Sequence, residues 1–195
     1  MVVLAVPNGG VPVALEVSSA IEAELDLIIS RKIPIPTTFE GGLGAIADDG
    51  TMILNEAAVK RIGLSEQQIE DAASEVRAEI KRRSILYKGE RPLVIISGKT
   101  VIIVDDGMAS GITMVAAVES ARHRHPKEIV VAVPVAPAAA LRQVQKIADK
   151  VVTCAKVIAP RFHAADYYRY WNDLSDNDVV RYLDQWRVQQ FQANI

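Results

Sequence analysis

Residues 101–113 are Val101-Ile102-Ile103-Val104-Asp105-Asp106-Gly107-Met108-Ala109-Ser110-Gly111-Ile112-Thr113. The first four are apolar and β-branched, which predicts a fully buried strand. Two adjacent carboxylates follow at the end of that strand, and a loop of small residues then leads into a predicted helix over residues 113–124. A strand, a tight loop and a helix in this order indicate an α/β fold.

This stretch also has the chemistry of a site for a sugar phosphate. The first N–H groups of a helix have no partner within the helix and lie at the positive end of its dipole, so they favour an anion. Gly107 and Gly111 allow the backbone to approach a ligand closely, and Ser110 and Thr113 add hydroxyl donors. The two carboxylates would repel a phosphate, but they suit sugar hydroxyls or a metal ion. The alternative is an ordinary capped helix start beside solvated acids.

The size and composition limit the classes of protein. The chain has 195 residues, 50% of them hydrophobic, which fits a single domain over residues 1–195 with a sizeable core. Its net charge is −2 and it has no basic stripe, so we expect no nucleic-acid partner. The single cysteine, Cys154, cannot form an internal disulfide, which favours the cytoplasm. The longest apolar run, residues 129–141, is too short for a bilayer and contains two prolines, so we expect no membrane segment.

Strands and helices are predicted to alternate along most of the chain. Buried strands are predicted over residues 2–6, 25–30, 101–104, 129–133 and 151–155, and helices over residues 11–21, 65–88, 113–124 and 137–148. A hairpin is predicted around residues 48–50, and Ser175 is the predicted N-cap of a last helix. This alternation predicts a parallel sheet whose ligands bind beyond the carboxyl ends of its strands.

Two further groups of residues follow predicted strands and therefore belong to the same edge of the sheet. Asn8, Gly9 and Gly10 form a glycine-rich turn after the first strand, although such turns are common between strands and helices. Arg31 and Lys32 follow the second predicted strand, and both a phosphate contact and simple solvation are open for them.

The aromatic tail and one loop are additional candidates. Phe162, Tyr167 and Tyr168 could stack on a flat base, or they could pack the tail onto the core. A basic cluster ends the predicted helix over residues 65–88, as expected from the helix dipole. The alternative is that residues 87–98 form a mobile loop that closes over a bound ligand.

Residues 101–113 resemble the 5-phosphoribosyl 1-diphosphate (PRPP) signature of the type I phosphoribosyltransferases. That signature has apolar strand residues, two acids, a short spacer and a Thr/Ser-Gly-x-Thr phosphate loop. The resemblance implies a parallel-sheet core over residues 1–32 and 99–160, a hood and flexible insertion over residues 33–98, and a tail over residues 161–195. Family members usually have a helical segment before the first strand, so the chain is expected to be truncated or naturally short. Similar segments occur at residues 6–11, 30–32, 132–136 and 166–168.

The resemblance implies transfer of the 5-phosphoribosyl group from PRPP to a nitrogenous base, with Mg²⁺ as cofactor and pyrophosphate as leaving group. Asp105 and Asp106 would be catalytic residues that hold the ribose hydroxyls directly or through Mg²⁺. Residues 107–113 would bind the 5′-phosphate, residues 8–10 would bind the pyrophosphate, and residues 31 and 32 are further substrate-binding candidates. The fold often forms dimers, so the resemblance also allows a homodimer.

Two positions depart from the family pattern. Ala109 stands where 6-oxopurine enzymes carry an aspartate that handles the proton of the base, which disfavours that acceptor class. Asn8 stands where close relatives often carry an arginine. These departures leave open a regulatory module that senses PRPP or nucleotides without turnover. A phosphatase or phosphotransferase on the same sheet would need a nucleophile or a phosphate-binding lysine in the loop, and neither is evident in the sequence.

Overall fold

The computed structural model of the protein describes residues 1–35, 42–89, 92–159 and 161–193. Within these ranges the strands are β1 (Val2–Ala5), β2 (Glu24–Leu27), β3 (Ser30–Ile33), β4 (Gly44–Ala47), β5 (Met52–Leu54), β6 (Thr100–Val104), β7 (Glu128–Pro137) and β8 (Lys150–Val157). The helices are α1 (Gly10–Ala20), α2 (Glu56–Ile62), α3 (Glu66–Lys88), α4 (Ile112–Arg122), α5 (Ala138–Val144) and α6 (Asp176–Ala193). A 3₁₀ turn covers Ala164–Tyr167.

The central sheet has the strand order β2-β1-β6-β7-β8 and is parallel throughout. This confirms the predicted α/β fold with a parallel sheet. β1 is buried along its whole length and pairs with β2 on one side and β6 on the other. The chain order reverses between these neighbours, so the loops after β1 and β6 meet at the topological switch point, where open α/β sheets bind ligands.

Helices cover the two faces of the central sheet. On one face, Val101 and Ile103 of β6 belong to a buried cluster with apolar residues of α4 and α5. On the other face, Val3 and Ala5 of β1 belong to a second cluster with residues of α1, α3 and α6. The alternation of side chains along each strand therefore supplies both cores. None of the helices in the described part of the chain is long and apolar enough to cross a membrane.

A second sheet is antiparallel and has the strand order β3-β4-β5. The predicted hairpin around residues 48–50 is confirmed, because β4 and β5 flank that turn. The prediction of one strand over residues 25–30 is wrong, since β2 ends at Leu27 and Ser30 already begins β3. Ile28 and Ile29 are both buried between the two strands, so the hydropathy pattern shows no break where the chain changes sheets.

The predicted N-terminal caps of α3 and α6 are confirmed. Ser65 and Gln68 form the capping box that opens α3, and the N–H of Asp178 donates to Oγ of Ser175 at 3.2 Å at the start of α6. α2 was not predicted, although Asn55 caps its start and Gly63 ends it with a φ of 73°.

The strand β7 is longer than predicted and α5 is shorter. β7 continues through Pro134 to Pro137, which serves as the N-cap of α5 rather than as its first helical residue. β6 ends opposite Ala132, so beyond that point β7 has only β8 as a strand neighbour. Proline is tolerated there as on an edge strand.

Candidate functional site

A cleft of about 990 Å³ opens at the carboxyl ends of β1 and β6. One wall is the loop between β6 and α4 with the first turn of α4, and the facing wall comes from β3, α3 and the segment after β5. Of the predicted site residues, those that line it are Arg31, Lys32, Asp105, Gly107, Met108, Ala109, Ser110, Gly111, Ile112 and Thr113. The predicted residues Asn8, Gly9, Gly10 and Asp106 lie next to the cleft but do not line it.

The loop between β6 and α4 offers backbone donors to the cleft. Gly111 starts the helix with a φ of +84°, a left-handed conformation that favours glycine. No side chain caps α4, and only Ile112 N–H has a long contact, at 3.4 Å, to Oγ of Ser110. Within the described residues, the N–H groups of Ser110 and Thr113 have no hydrogen-bond acceptor. This end of the cleft therefore suits an anion.

The two acids after β6 are held in an environment that disfavours two negative charges. Oδ1 of Asp105 accepts a hydrogen bond of 2.8 Å from the backbone N–H of Asp106. Burial and the neighbouring charge of Asp106 hold the pKa of Asp105 well above its usual range. Burial also raises the pKa of Asp106. Hydroxyl donors or a cation at this point would relieve the cost of ionising the pair.

The turn after β1 approaches these acids so closely that it requires glycine. A Cβ atom on Gly9 would lie 1.7 Å from Oδ2 of Asp106, and one on Gly10 would lie 2.8 Å from the backbone oxygen of Val104. The N–H of Gly10 donates to the carbonyl oxygen of Val6 at 3.1 Å, and the Pro7–Asn8 peptide bond is cis. The glycines thus let the two loops lie side by side at the switch point.

The side chain of Asn8 is bound within the protein. Its Oδ1 accepts from Nη1 of Arg83 at 2.8 Å and lies 3.1 Å from the hydroxyl oxygen of Tyr87. Its Nδ2 donates to the backbone oxygen of Leu174 at 2.8 Å and, at 3.4 Å, to Oδ1 of Asp176. We call Asn8, Arg83, Tyr87 and Asp176 the Asn8 network. The sequence did not predict that the last three members contact Asn8, and they lie 75 to 168 positions from it.

Comparisons with known proteins agree with this geometry. Residues 1–167 match the family model described as "Phosphoribosyl transferase domain". The chain belongs to this family. Two Mycobacterium tuberculosis proteins, from strains H37Rv and CDC 1551, are each 35% identical to this chain over 185 residues, which are 95% of this chain and 42% of theirs. They are named "Putative phosphoribosyl transferase Rv0571c" and "Putative phosphoribosyl transferase MT0597".

Most of this chain also resembles a solved structure. The crystal structure of TT1426 from Thermus thermophilus is 34% identical, with a TM-score of 0.75, and the match covers 95% of this chain and 87% of that one. By contrast, the chain spans less than half the length of the two mycobacterial relatives. The family model and the match to TT1426 together show a phosphoribosyl transferase domain with this α/β fold.

Two cations of the phosphoribosyl transferase domain line the same cleft as residues 107–113. Arg31 and Lys32 lie on β3, in the antiparallel sheet, rather than in a loop after a central strand. Burial, followed by the charge of Arg83, lowers the pKa of Arg31. Lys32 is exposed, and its aliphatic stem lies against Gly42. The cleft therefore has two positive charges in its lining, from Arg31 and Lys32.

The segment after β8 contacts the loop between β6 and α4 at Asp106 and Gly107. The hydroxyl of Tyr168 donates to the backbone oxygen of Asp106 at 2.7 Å, and a Cβ atom on Gly107 would lie 2.7 Å from Cβ of Ala164. Burial and the two neighbouring acids raise the pKa of Tyr168 to about 12. Phe162 stacks on Tyr167 with ring centroids 5.7 Å apart. Of Phe162, Tyr167 and Tyr168, it is Tyr168 that makes a hydrogen bond to the loop between β6 and α4.

The loop predicted over residues 87–98 falls only partly within the described residues. Residues 90 and 91 lie outside them. Tyr87 and Lys88 belong to α3, and Nζ of Lys88 binds Oδ2 of Asp48 at 2.6 Å with both side chains mostly buried. This ion pair joins the end of α3 to the hairpin of the second sheet.

Proposed function

We propose that this chain transfers the 5-phosphoribosyl group of PRPP to a ring nitrogen of a nitrogenous base and releases pyrophosphate. The observation that carries the proposal is the placement of the open backbone donors of Ser110 and Thr113 beside the partly buried pair Asp105 and Asp106, of which Asp105 lines the cleft. Donors for an anion and acceptors for hydroxyls within one cleft match the two ends of a sugar phosphate. Family membership supports the same reaction class.

The phosphate loop would anchor the 5′-phosphate of PRPP. The N–H groups of Ser110 and Thr113, together with their hydroxyls, would donate to the phosphate oxygens. Binding energy gained at this remote group would fix the position of the anomeric carbon. Asp105 and Asp106 would accept hydrogen bonds from the ribose hydroxyls and place negative charge near the ring. That charge stabilises the positive charge that develops on the ring as the reaction proceeds.

The chemical step exchanges one bond at the anomeric carbon for another. The bond from that carbon to the diphosphate oxygen breaks and its electron pair leaves with pyrophosphate. A bond to the acceptor nitrogen forms, and the proton of that nitrogen is lost to solvent or to pyrophosphate. Arg31 and Lys32 would offset the charge of the leaving group from the facing wall. Because Gly10 N–H is used within its turn, the contribution of Gly10 would be space rather than a donor.

The residues present fit the Mg²⁺ that the family resemblance implies. Asp105 and Asp106 would hold it, and the raised pKa of each carboxyl marks a place where a cation is favourable. The described residues contain no group of three metal-ligating side chains. Mg²⁺ bound mainly through substrate oxygens needs only one or two carboxylates. When bound, it would neutralise charge on the diphosphate.

The acceptor is proposed to be a base other than a 6-oxopurine. Ala109 lines the cleft and has no side chain that can exchange a proton with the base. PRPP, a nitrogenous acceptor and pyrophosphate are the proposed small-molecule partners. The cytoplasm is the proposed compartment, in keeping with a single cysteine that has no disulfide partner within the chain.

The two cations should contribute unequally to PRPP binding. We expect Arg31→Met to lower the affinity for PRPP by roughly 10-fold, since it removes a charge-assisted contact in a partly buried position. Lys32→Met should lower it by about 2-fold, because an exposed charge is screened by water and salt. Calorimetric titration of both variants with PRPP and Mg²⁺ measures the difference. Equal and small effects would remove Arg31 from the proposed site.

A titration and an acceptor screen test the proposed reaction. The protein is titrated with PRPP in the presence of Mg²⁺, and pyrophosphate release is then followed with a panel of purine and pyrimidine bases. We expect binding of PRPP and release of pyrophosphate with at least one base. Binding without release for any base would favour the regulatory module, and hydrolysis of simple phosphomonoesters would favour a phosphatase. Absence of PRPP binding would contradict both the transferase and the regulatory module.

A further inference from the structure

The N–H donors of the Asn8 side chain have no capacity left for a substrate. A carboxamide offers two N–H donors and an oxygen with two lone pairs. In this protein both donors and the oxygen are engaged by Leu174, Asp176, Arg83 and Tyr87. Any hydrogen bond from this side chain to a ligand would therefore replace one that it already makes.

The partner that joins this network from farthest away is Asp176, the first residue of α6. Its Oδ1 accepts from the hydroxyl of Tyr87 at 2.5 Å and its Oδ2 accepts from Nη2 of Arg82 at 2.5 Å. Burial raises the pKa of Asp176, but the hydrogen bonds from Tyr87 and Arg82 outweigh it and lower the pKa to about 2. The carboxylate is therefore charged and fixed between α3 and the turn after β1.

The turn after β1 is also in contact with Asp106 of the loop after β6. Asn8 is anchored to α3 and α6, while Gly9, the next residue, lies against the carboxylate of Asp106. A change at the network would thus shift the turn relative to the acidic loop. The 5′-phosphate loop at residues 109–113 makes no contact with the network among the described hydrogen bonds.

We propose that Asn8 and Asp176 are positioning residues, which hold the turn at residues 7–10, where Pro7 lines the cleft, beside the place where the diphosphate group of PRPP would bind. The inference rests on the proposed function. It replaces the expectation of a substrate contact by the Asn8 side chain with an indirect role. It also makes the start of α6, which follows the segment matched by the family model, part of the machinery for binding PRPP.

Three ligands separate a positioning role from a general structural one. PRPP and inorganic pyrophosphate both carry the diphosphate group, whereas ribose 5-phosphate occupies only the phosphate loop and the acids. For Asp176→Ala we expect the dissociation constants of PRPP and pyrophosphate to rise roughly 10-fold with Mg²⁺ present, as for the loss of a hydrogen bond to a charged group. The dissociation constant of ribose 5-phosphate should stay within about 2-fold.

Further variants keep the test decisive if Asp176→Ala does not fold. Tyr87→Phe removes the hydroxyl that donates to Oδ1 of Asp176 and lies 3.1 Å from Oδ1 of Asn8, and it should give the same selective loss. Asp176→Asn keeps an acceptor oxygen of the same shape and should recover part of the affinity. Asp184→Asn is the matched control, because Asp184 lies on the same helix and pairs with Arg187, which reaches the Asn8 network only at the backbone oxygen of Tyr87, at 3.4 Å. It should bind all three ligands like the original protein.

The outcomes distinguish failure of this inference from failure of the proposed function. If the original protein binds PRPP but Asp176→Ala and Tyr87→Phe bind all three ligands as it does, the positioning role is wrong and the proposed function stands. An equal loss for ribose 5-phosphate and PRPP also overturns the role, since it shows a general structural defect. If the folded original protein does not bind PRPP, the proposed function falls and the inference falls with it.

Discussion

Asp105→Asn is expected to abolish most of the affinity for PRPP while making the protein more stable at pH 7. The Asn side chain keeps the oxygen that accepts from the N–H of Asp106 but cannot carry the charge that the ribose hydroxyls and Mg²⁺ require. We expect the affinity for PRPP to fall roughly 10- to 100-fold. Since the ionised carboxylate is unfavourable at this partly buried position beside Asp106, the melting temperature should rise by roughly 2–5 °C.

The same variant has a defined dependence on pH. The pKa of Asp105 in the folded protein lies above its unfolded value of about 4. At a pH between these two pKa values, the folded state therefore binds more protons than the unfolded state. The stability of the original protein falls as the pH rises through that window. The advantage of Asp105→Asn in free energy of unfolding should be largest at pH 7 to 8 and should shrink as the pH is lowered toward 4.

Chemical denaturation at several pH values, with PRPP titrations alongside, measures both effects. Asp106→Asn serves as the comparison, because the pKa of Asp106 is also raised by burial and its loss should weaken PRPP binding as well. A variant at position 105 that is less stable than the original protein and binds PRPP equally well would show that the acid has a structural role only.

Gly9→Ala is expected to weaken PRPP binding strongly without unfolding the protein. The new Cβ atom would lie 1.7 Å from Oδ2 and 2.5 Å from Cγ of Asp106, so the carboxylate must leave its place. The φ of Gly9 is −62°, which alanine adopts without strain. The atoms displaced belong to the end of a side chain, so the fold can adjust. We expect at least a roughly 10-fold loss of PRPP affinity and a melting temperature within about 3 °C of the original.

Gly10→Ala provides the contrast to Gly9→Ala. Its Cβ atom would lie 2.8 Å from the backbone oxygen of Val104 and 2.9 Å from Cα of Asp105, and backbone cannot move aside cheaply. This variant should lose stability by roughly 2–4 kcal/mol, as measured by denaturant unfolding. If both variants unfold alike, or if Gly9→Ala retains full PRPP affinity, the close approach between the turn and the acids does not have the role given to it.

Local signals in the sequence were sufficient for the central parts of the fold. Four β-branched residues before Asp105 predicted β6, and Ser65 with Gln68 predicted the start of α3. These predictions depend on chemistry within a few residues of chain, where propensity and capping decide the structure. The cleft contains most of the site residues that were predicted, because loops after neighbouring parallel strands must meet at one edge.

Contacts between distant segments could not be predicted in this way. The break between β2 and β3 lies inside a continuous apolar run. Ile28 and Ile29, which connect the two strands, are both buried, so hydropathy does not mark the point where the chain leaves the central sheet. Asn8 and Asp176 meet although 168 positions separate them, and neither has a local pattern that signals a partner. α2 is different, because Asn55 and Gly63 were visible signals for its ends.

A crystal structure of the protein soaked with PRPP and Mg²⁺ tests the central claim most directly. We predict that the 5′-phosphate lies on the N–H groups of residues 110–113 and that the ribose hydroxyls lie within hydrogen-bond distance of Asp105 and Asp106. Electron density for PRPP elsewhere on the surface, or a ribose turned away from these two carboxylates, would contradict it.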